Sequence, residues 1–333
     1  MAEPRPAWLP AGTLRAQMQA LATLGLDMPC LHRAVGPIPD GADALVPQQA
    51  YLTMWREALA LYGDDALPTA LAMAIPFGAF GALDYLIGSS ATIGGSVESA
   101  QLHFAMVSND AWLDVHVLDD GTRAMQVRAL PDVPVAALEF TLACMFNRLT
   151  RVSGGGFEAL RVGLPIVRST PDPVRERIYG AALAYDYPCA ELVISAATWN
   201  TACATADSFL YAALEQLATQ MQVQAPADSA LESALRMRLR GALAQGRADA
   251  QRMAGLLGVS ERTLQRRLTE IDRSFTQIVE DFRREESARL LCDRKLHLVE
   301  VASRLGYSEQ TSFTRAFKRW HNTTPGHWRA ARA

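Results

Sequence analysis

With 333 residues, half of them hydrophobic, the chain is long enough for two domains, each burying its own core. Its net charge of −3 hides a division: residues 231–333 hold 20 Lys+Arg against 12 Asp+Glu, whereas residues 1–230 hold 12 against 23. Five scattered cysteines with no C-x-x-C pair exclude a disulfide framework and a structural zinc site, and suit a reducing cytosol.

The opening MAEPRPAWLPAG lacks the basic and apolar blocks of a secretion signal. Residues 14–25 and 45–62 read as amphipathic helices, joined by a loop at Pro37, Pro39, Asp40 and Gly41. Ala66 to Leu83 runs eighteen residues without a charge, but Pro68, Pro76, Gly78 and Gly81 interrupt it, so it is expected as buried core and not as a membrane span. A helical stretch from 95 to 107 follows the Gly94-Gly95 break. Alternation over 112–117 and 124–128 about Asp119-Asp120-Gly121 predicts a hairpin. Pro134 opens a long helix to near Arg151, closed by Ser153-Gly154-Gly155-Gly156. A strand (158–163), a helix (173–183), a strand (190–197) and a helix (206–221) complete an α+β domain, distinct from a jelly roll. Residues 1–221 are therefore expected as a regulatory domain, polar 222–230 as a linker, and 231–333 as a second, all-α domain.

The second domain starts with a supporting helix over 231–244. It then carries one pattern twice: Met253-Ala254-Gly255-Leu256-Leu257-Gly258-Val259-Ser260 before ERTLQRRL, and Val301-Ala302-Ser303-Arg304-Leu305-Gly306-Tyr307-Ser308 before EQTSFTRAF. In each, a small Ala four residues before a Gly lets two helices cross closely through a tight turn. Leu264 with Leu268, and Phe313 with Phe317, then pin one face of the second helix and leave the other open to a groove. Between the copies, Ser274-Phe275-Thr276-Gln277 has capping-box spacing. It predicts a helix of about fifteen residues, roughly 20 Å, able to hold two reading units apart. Successive major-groove faces lie ~34 Å apart, so one chain can occupy both. A basic, Arg-rich tail on an acidic body is what a DNA-binding module fused to a second domain should show.

These repeats, with GYSEQTSFTRAFKRW (306–320) and TPGHWR (324–329), closely resemble the AraC/XylS family of bacterial transcription regulators. The resemblance implies two helix-turn-helix units joined by a long helix. It places Arg262, Gln265 and Arg266, then Gln310, Thr311, Thr314 and Arg315, at groove-facing positions. The chemistry agrees, since Arg can pair with guanine and Gln with adenine. Lys318, Arg319 and Arg329 read as phosphate contacts, which raise affinity without choosing sequence. Family members often use the second unit mainly for backbone contact, and its polar face here is short. The N-terminal stretches FGALDYLIGSSATIGGSVESA, WLDVHVLDDGTRAMQVR and ELVISAATWN are more diffusely similar to the "arabinose-binding" type of regulatory domain, which implies effector sensing but not arabinose.

Other candidate sites carry bland readings. His103 and His116 lack paired ligand spacing, so no metal and no cofactor is expected. The glycine runs at 94–95 and 154–156 lack nucleotide-loop context and read as turns, and no nucleophile elbow or catalytic set stands out. Phe77, Phe80, Leu83, Tyr85, Leu86 and Ile87 could wall an effector pocket, although core packing explains them as well. Arg161 and Arg168 could receive an acidic effector or be surface charge.

The expectation is a cytoplasmic, sequence-specific DNA-binding regulator without enzyme activity. Its partners would be double-stranded promoter DNA, a small-molecule effector and RNA polymerase, with no membrane. Activation is the commoner mode in the family, and a homodimer stays open. One alternative is a regulator controlled by a protein partner or its own abundance. Another is an alkyl-transfer repair enzyme on the same module, but Pro188-Cys189 and Pro29-Cys30 lack the His that chemistry needs.

Overall fold

The computed structural model describes residues 8–41, 44–108, 110–118, 120–129, 133–168, 172–224, 235, 239, 242–243, 248–257, 259–269, 273–292 and 296–330. The chain divides into two compact units, Met1–Met221 and Gln222–Ala333. Of the expected linker, residues 222–224 are helical and residues 225–230 lie outside the described residues.

The N-terminal unit opens with β1 (Trp8–Pro10), paired antiparallel with β2 (Leu45–Pro47), Leu9 opposite Val46. Each strand ends on a proline that starts a helix: α1 (Ala11–Thr23) and α3 (Gln48–Tyr62). A proline cannot donate to a ladder but suits the mouth of a helix. Residues 45–47 are thus a strand where helix was expected, and the first helix begins three residues early. α2 (Met28–Val35) falls in between and was not foreseen. Its signal was present, because Asp27 accepts a hydrogen bond from the Cys30 amide at 3.1 Å and Pro29 occupies the first turn.

The charge-free stretch folds into α4 (Leu67–Ala74), buried at Leu67, Leu71 and Ala72, then a turn after Pro76, then α5 (Ala82–Ser89). Among the described residues no helix is long and apolar enough to cross a membrane. α6 (Ile93–His103) starts under a Thr92 cap, so Gly94 and Gly95 lie in its first turn and not in a free loop. The reason is packing, since a Cβ on Gly94 would sit 2.2 Å from the Trp199 indole nitrogen.

β3 (Ala111–Val117) and β4 (Arg123–Ala129) form the expected hairpin, with Val115 opposite Met125. With β5 (Arg161–Gly163), β6 (Leu183–Ala184) and β7 (Glu191–Ile194) they make a sheet in the order β3-β4-β7-β5-β6, antiparallel except for β5–β6. α7 (Val135–Val152) packs on α4, α5 and the sheet. Its Phe140 ring meets Trp55 edge-on at 5.5 Å. α8 (Pro173–Tyr179) stops at Gly180, so the residues expected to continue it form a short 3-10 turn and then β6. α9 (Ala196–Asn200) and α10 (Ser208–Gln224) close the unit.

Two buried ionic clusters brace this core. Arg148 holds Asp84 at 3.0 Å, with both side chains almost fully excluded from water. Arg175 donates to Glu139 at 2.7 and 2.9 Å, to Asp65 at 3.0 Å, and to Asp172. Arg161 pairs with Glu191 at 2.8 Å and Arg168 pairs with Asp65, so both are already neutralised within the unit.

The C-terminal unit is helical. α11 (Ala250–Leu256) and α12 (Glu261–Thr269) form the first helix-turn-helix, α14 (Leu298–Arg304) and α15 (Gln310–His321) the second, with α13 (Phe275–Cys292) between them and α16 (Pro325–Ala330) at the end. Of the expected helix over 231–244, residues 235, 239, 242 and 243 are described; all are helical and join the first core. The capping box forms: the Ser274 amide donates to Gln277 Oε1 at 2.7 Å, and the Gln277 amide donates to Ser274 Oγ at 3.2 Å.

α13 has 18 residues, about 27 Å, longer than expected. It serves two separate cores, giving Ile278, Val279 and Phe282 to the first and Leu290 and Leu291 to the second. Arg283 ties the two together, donating to the Leu305 carbonyl at 2.9 Å and lying 4.8 Å over the Tyr307 ring. At the second turn Gly306 takes φ 74°, and a Cβ there would meet the Leu243 carbonyl oxygen at 3.0 Å. The equivalent Gly258 lies outside the described residues.

Candidate nucleic-acid interface and regulatory cavity

α12 is fixed by its apolar pair. Leu264 and Leu268 are buried, and the Ser260 hydroxyl caps the helix by accepting from the Thr263 amide at 3.1 Å. Arg262, Gln265 and Arg266 therefore share the exposed side. Arg262 has no hydrogen bond or ion pair among the described residues, and Gln265 donates to Glu261 at 3.0 Å. Arg267 is also exposed here, a cation that the motif match did not single out.

In α15, Phe313 and Phe317 are fully buried, and Asn322 ends the helix in the left-handed conformation. Gln310, Thr311 and Arg315 are exposed, while Thr314 is half-buried. The two threonine hydroxyls are committed locally, Thr311 to Glu309 at 3.0 Å and Thr314 to the Gln310 carbonyl at 2.9 Å.

The three expected phosphate contacts divide. Lys318 is exposed and unpaired among the described residues. Arg319 pairs with Glu280, which also accepts from the Trp320 indole at 3.0 Å. Those hydrogen bonds from Trp320 and Arg319 hold the Glu280 carboxyl below its usual range. Arg329 is half-buried and donates to the Leu291 carbonyl at 3.1 Å, fastening α16 to the end of α13.

The N-terminal unit holds a cavity of about 60 Å³ between α1, α3, α5 and α7. Phe80, Leu83 and Ile87 of the expected pocket line it, whereas Phe77, Tyr85 and Leu86 do not. Phe77 packs instead on Tyr85 at 5.8 Å and under Arg151, and Leu86 is plain core. Sequence reasoning missed Gln17, Tyr51, Asp110 and Cys144, which four separate segments bring to the cavity wall. His103 is buried at the end of α6. No cluster of three or more metal-ligating side chains occurs among the described residues.

Two cation-bearing reading helices mounted on one connecting helix define a helix-turn-helix DNA-binding regulator. Residues 19–203 match the family model described as the arabinose-binding domain of AraC transcription regulators, and residues 253–331 match a helix-turn-helix domain. The chain belongs to the AraC family of transcription regulators. It is 25% identical to the ornithine utilization regulator of Pseudomonas aeruginosa over 97% of this chain and 96% of that one. It is 36% identical to the transcriptional regulator VirS of Mycobacterium tuberculosis over 32% of this chain and 31% of that one. The crystal structure of the transcriptional regulator CdpR from Pseudomonas aeruginosa aligns over 96% of this chain and 98% of that chain, with 19% identity and a TM-score of 0.49.

Proposed function

We propose that residues 231–333 read two successive major-groove segments of a promoter, and that residues 1–221, joined through 222–230, bias that engagement in response to a small molecule. The observation that carries the reading is the open face of α12, where Arg262, Gln265 and Arg266 stand opposite the buried Leu264 and Leu268. Arg262 and Arg266 suit guanine edges and Gln265 suits adenine. In the second unit Gln310, Thr311, Thr314 and Arg315 face DNA, with the Thr311 and Thr314 hydroxyls already donating to Glu309 and to the Gln310 carbonyl. Lys318 is the principal phosphate contact; Arg319 joins it on leaving Glu280, and Arg329 acts mainly through Leu291.

The cavity within residues 1–221 favours small-molecule control over control by abundance alone. An effector changes occupancy only if it binds the DNA-competent state more tightly than the idle one. The protein works in the cytoplasm as an activator that helps recruit RNA polymerase. Two units in one chain make a homodimer unnecessary for specificity.

The test is to capture genomic fragments on the purified chain at ~150 mM salt, near physiological ionic strength, and to sequence them. A shared motif of two short blocks about one helical turn apart is the expected result. Binding that stays diffuse and salt-labile with every effector candidate would overturn the reading.

A further inference from the structure

The cavity in the N-terminal unit has an unbalanced polar lining. Its Asp84 is fully matched: Arg148 donates to it at 3.0 and 3.3 Å, and the amides of Gly78 and Phe80 at 2.8 and 3.2 Å. The remaining donors of Arg148 go to the carbonyls of Ile75 and Pro76. That pair therefore leaves no charge over. Burial pushes the Cys144 thiol up to about 12 and raises the Tyr51 hydroxyl further, so both line the cavity as neutral groups.

Asp110 is different. It is 2% exposed and accepts from Ser108 Oγ and, at 3.2 Å, from Gln48 Nε2, both neutral donors. No cation pairs with it among the described residues. Gln17, beside the Tyr51 hydroxyl, is 1% exposed, and its Oε1 has no hydrogen-bond partner among the described residues. A buried carboxylate without a countercharge and a buried acceptor without a donor are both costly states in a protein interior. Here they line the same space, whose wall also includes Leu9, Phe104, Val107 and Phe140 and the hydroxyls of Thr13 and Thr141.

We infer that this cavity receives the protonated amine of a small organic ligand, with Asp110 as its counterion and Gln17 Oε1 as a second acceptor. The inference deepens, and depends on, the reading of the N-terminal unit as an effector sensor. An ammonium can donate to Asp110 and to Gln17 Oε1 at once, and the aromatic walls suit a cation with a short apolar stem. A volume of about 60 Å³ admits a head group of a few heavy atoms.

Full-length protein is tested with n-propylammonium, 1-propanol and propionate, three probes of similar size and different charge. Fragments this small bind weakly, so each is titrated to about 10 mM while the unfolding of the N-terminal unit is followed. A broad metabolite panel is run beside them. The expected result is a saturable Tm rise with propylammonium, or with amine-bearing members of the panel, and none with the alcohol or the carboxylate. Asp110→Asn and Gln17→Leu should each weaken that binding about tenfold or more. Asp110→Asn should leave the unliganded Tm equal or higher, because it removes an uncompensated charge. A residue with a purely structural role would lower it.

A neutral or anionic compound that stabilises the unit, with amines inert, overturns the ammonium assignment and leaves effector sensing standing. An amine response unchanged in Asp110→Asn overturns the site. If no compound in the probe set or the panel stabilises the unit, the ammonium assignment and the sensor reading fall together.

Discussion

Replacing a glycine by alanine at two places in the DNA-binding unit should change stability in opposite directions. Gly306 has φ 74°, and its added Cβ would lie 3.0 Å from the Leu243 carbonyl and 3.3 Å from Leu243 Cδ2. The left-handed backbone costs an L-residue about 1–2 kcal/mol, and overpacking against a backbone carbonyl adds about 1–3 kcal/mol. Gly306→Ala should therefore lose roughly 2–5 kcal/mol, a fall of at least about 8 °C in the Tm of a unit this size. Gly255 is helical and exposed, with nothing within 4 Å of its added Cβ. Gly255→Ala should gain about 0.5–1 kcal/mol by reducing the freedom of the unfolded chain. Both are read by calorimetry on the full chain, following the transition of residues 222–333. A Gly306→Ala protein within about 0.5 kcal/mol of the parent, the ordinary scatter for surface changes, would refute the close seating of the second turn on Leu243.

Three further outcomes follow from particular contacts. Arg266→Ala should relax preference at one base position by about 1–3 kcal/mol, whereas Lys318→Ala should weaken all sites alike and reduce the salt slope by about one; sequence-blind losses from both, in quantitative mobility shifts, would contradict base reading by α12. Arg175→Met should cost about 3–5 kcal/mol in chemical denaturation, because Glu139 and Asp172, buried to within 2% of complete, lose their partner. His103 is buried, which lowers its pKa below the ordinary 6.5 although Glu215 pulls the other way. Its contribution to stability is complete above pH 6.5 and is lost as pH falls below it towards the folded-state value, because only the unfolded chain gains the proton readily. His103→Leu should flatten the acid limb of the Tm–pH curve of the N-terminal unit, and an unchanged limb would assign that titration elsewhere.

Local chemistry was legible in the sequence wherever one segment determined it. The hairpin at 111–129, the capping box at Ser274 and Gln277, and the Leu264/Leu268 and Phe313/Phe317 seams all depend on residues a few positions apart. The β1–β2 pair was hidden because two three-residue strands have no readable period and depend on each other across the chain. The same limit hid the cavity lining, since Gln17, Tyr51, Asp110 and Cys144 come from four separate segments whose meeting is a property of the fold. An apolar run, by contrast, drew attention to Phe77, Tyr85 and Leu86, which pack away from that space. For Arg329, composition identified a cation, but only its 3.1 Å bond to the Leu291 carbonyl reveals a fastening role.

In the proposed function one chain reads DNA through two units held at a fixed interval by α13. The most direct test is the affinity of the full chain for its own site before and after insertion of five base pairs, about half a helical turn, between the two blocks. Rigid coupling predicts that affinity falls to that of a site carrying the first block alone, and that Gln310→Ala or Arg315→Ala then has no further effect. Undiminished affinity for the inserted site would mean that a single unit reads the promoter, and would contradict the account.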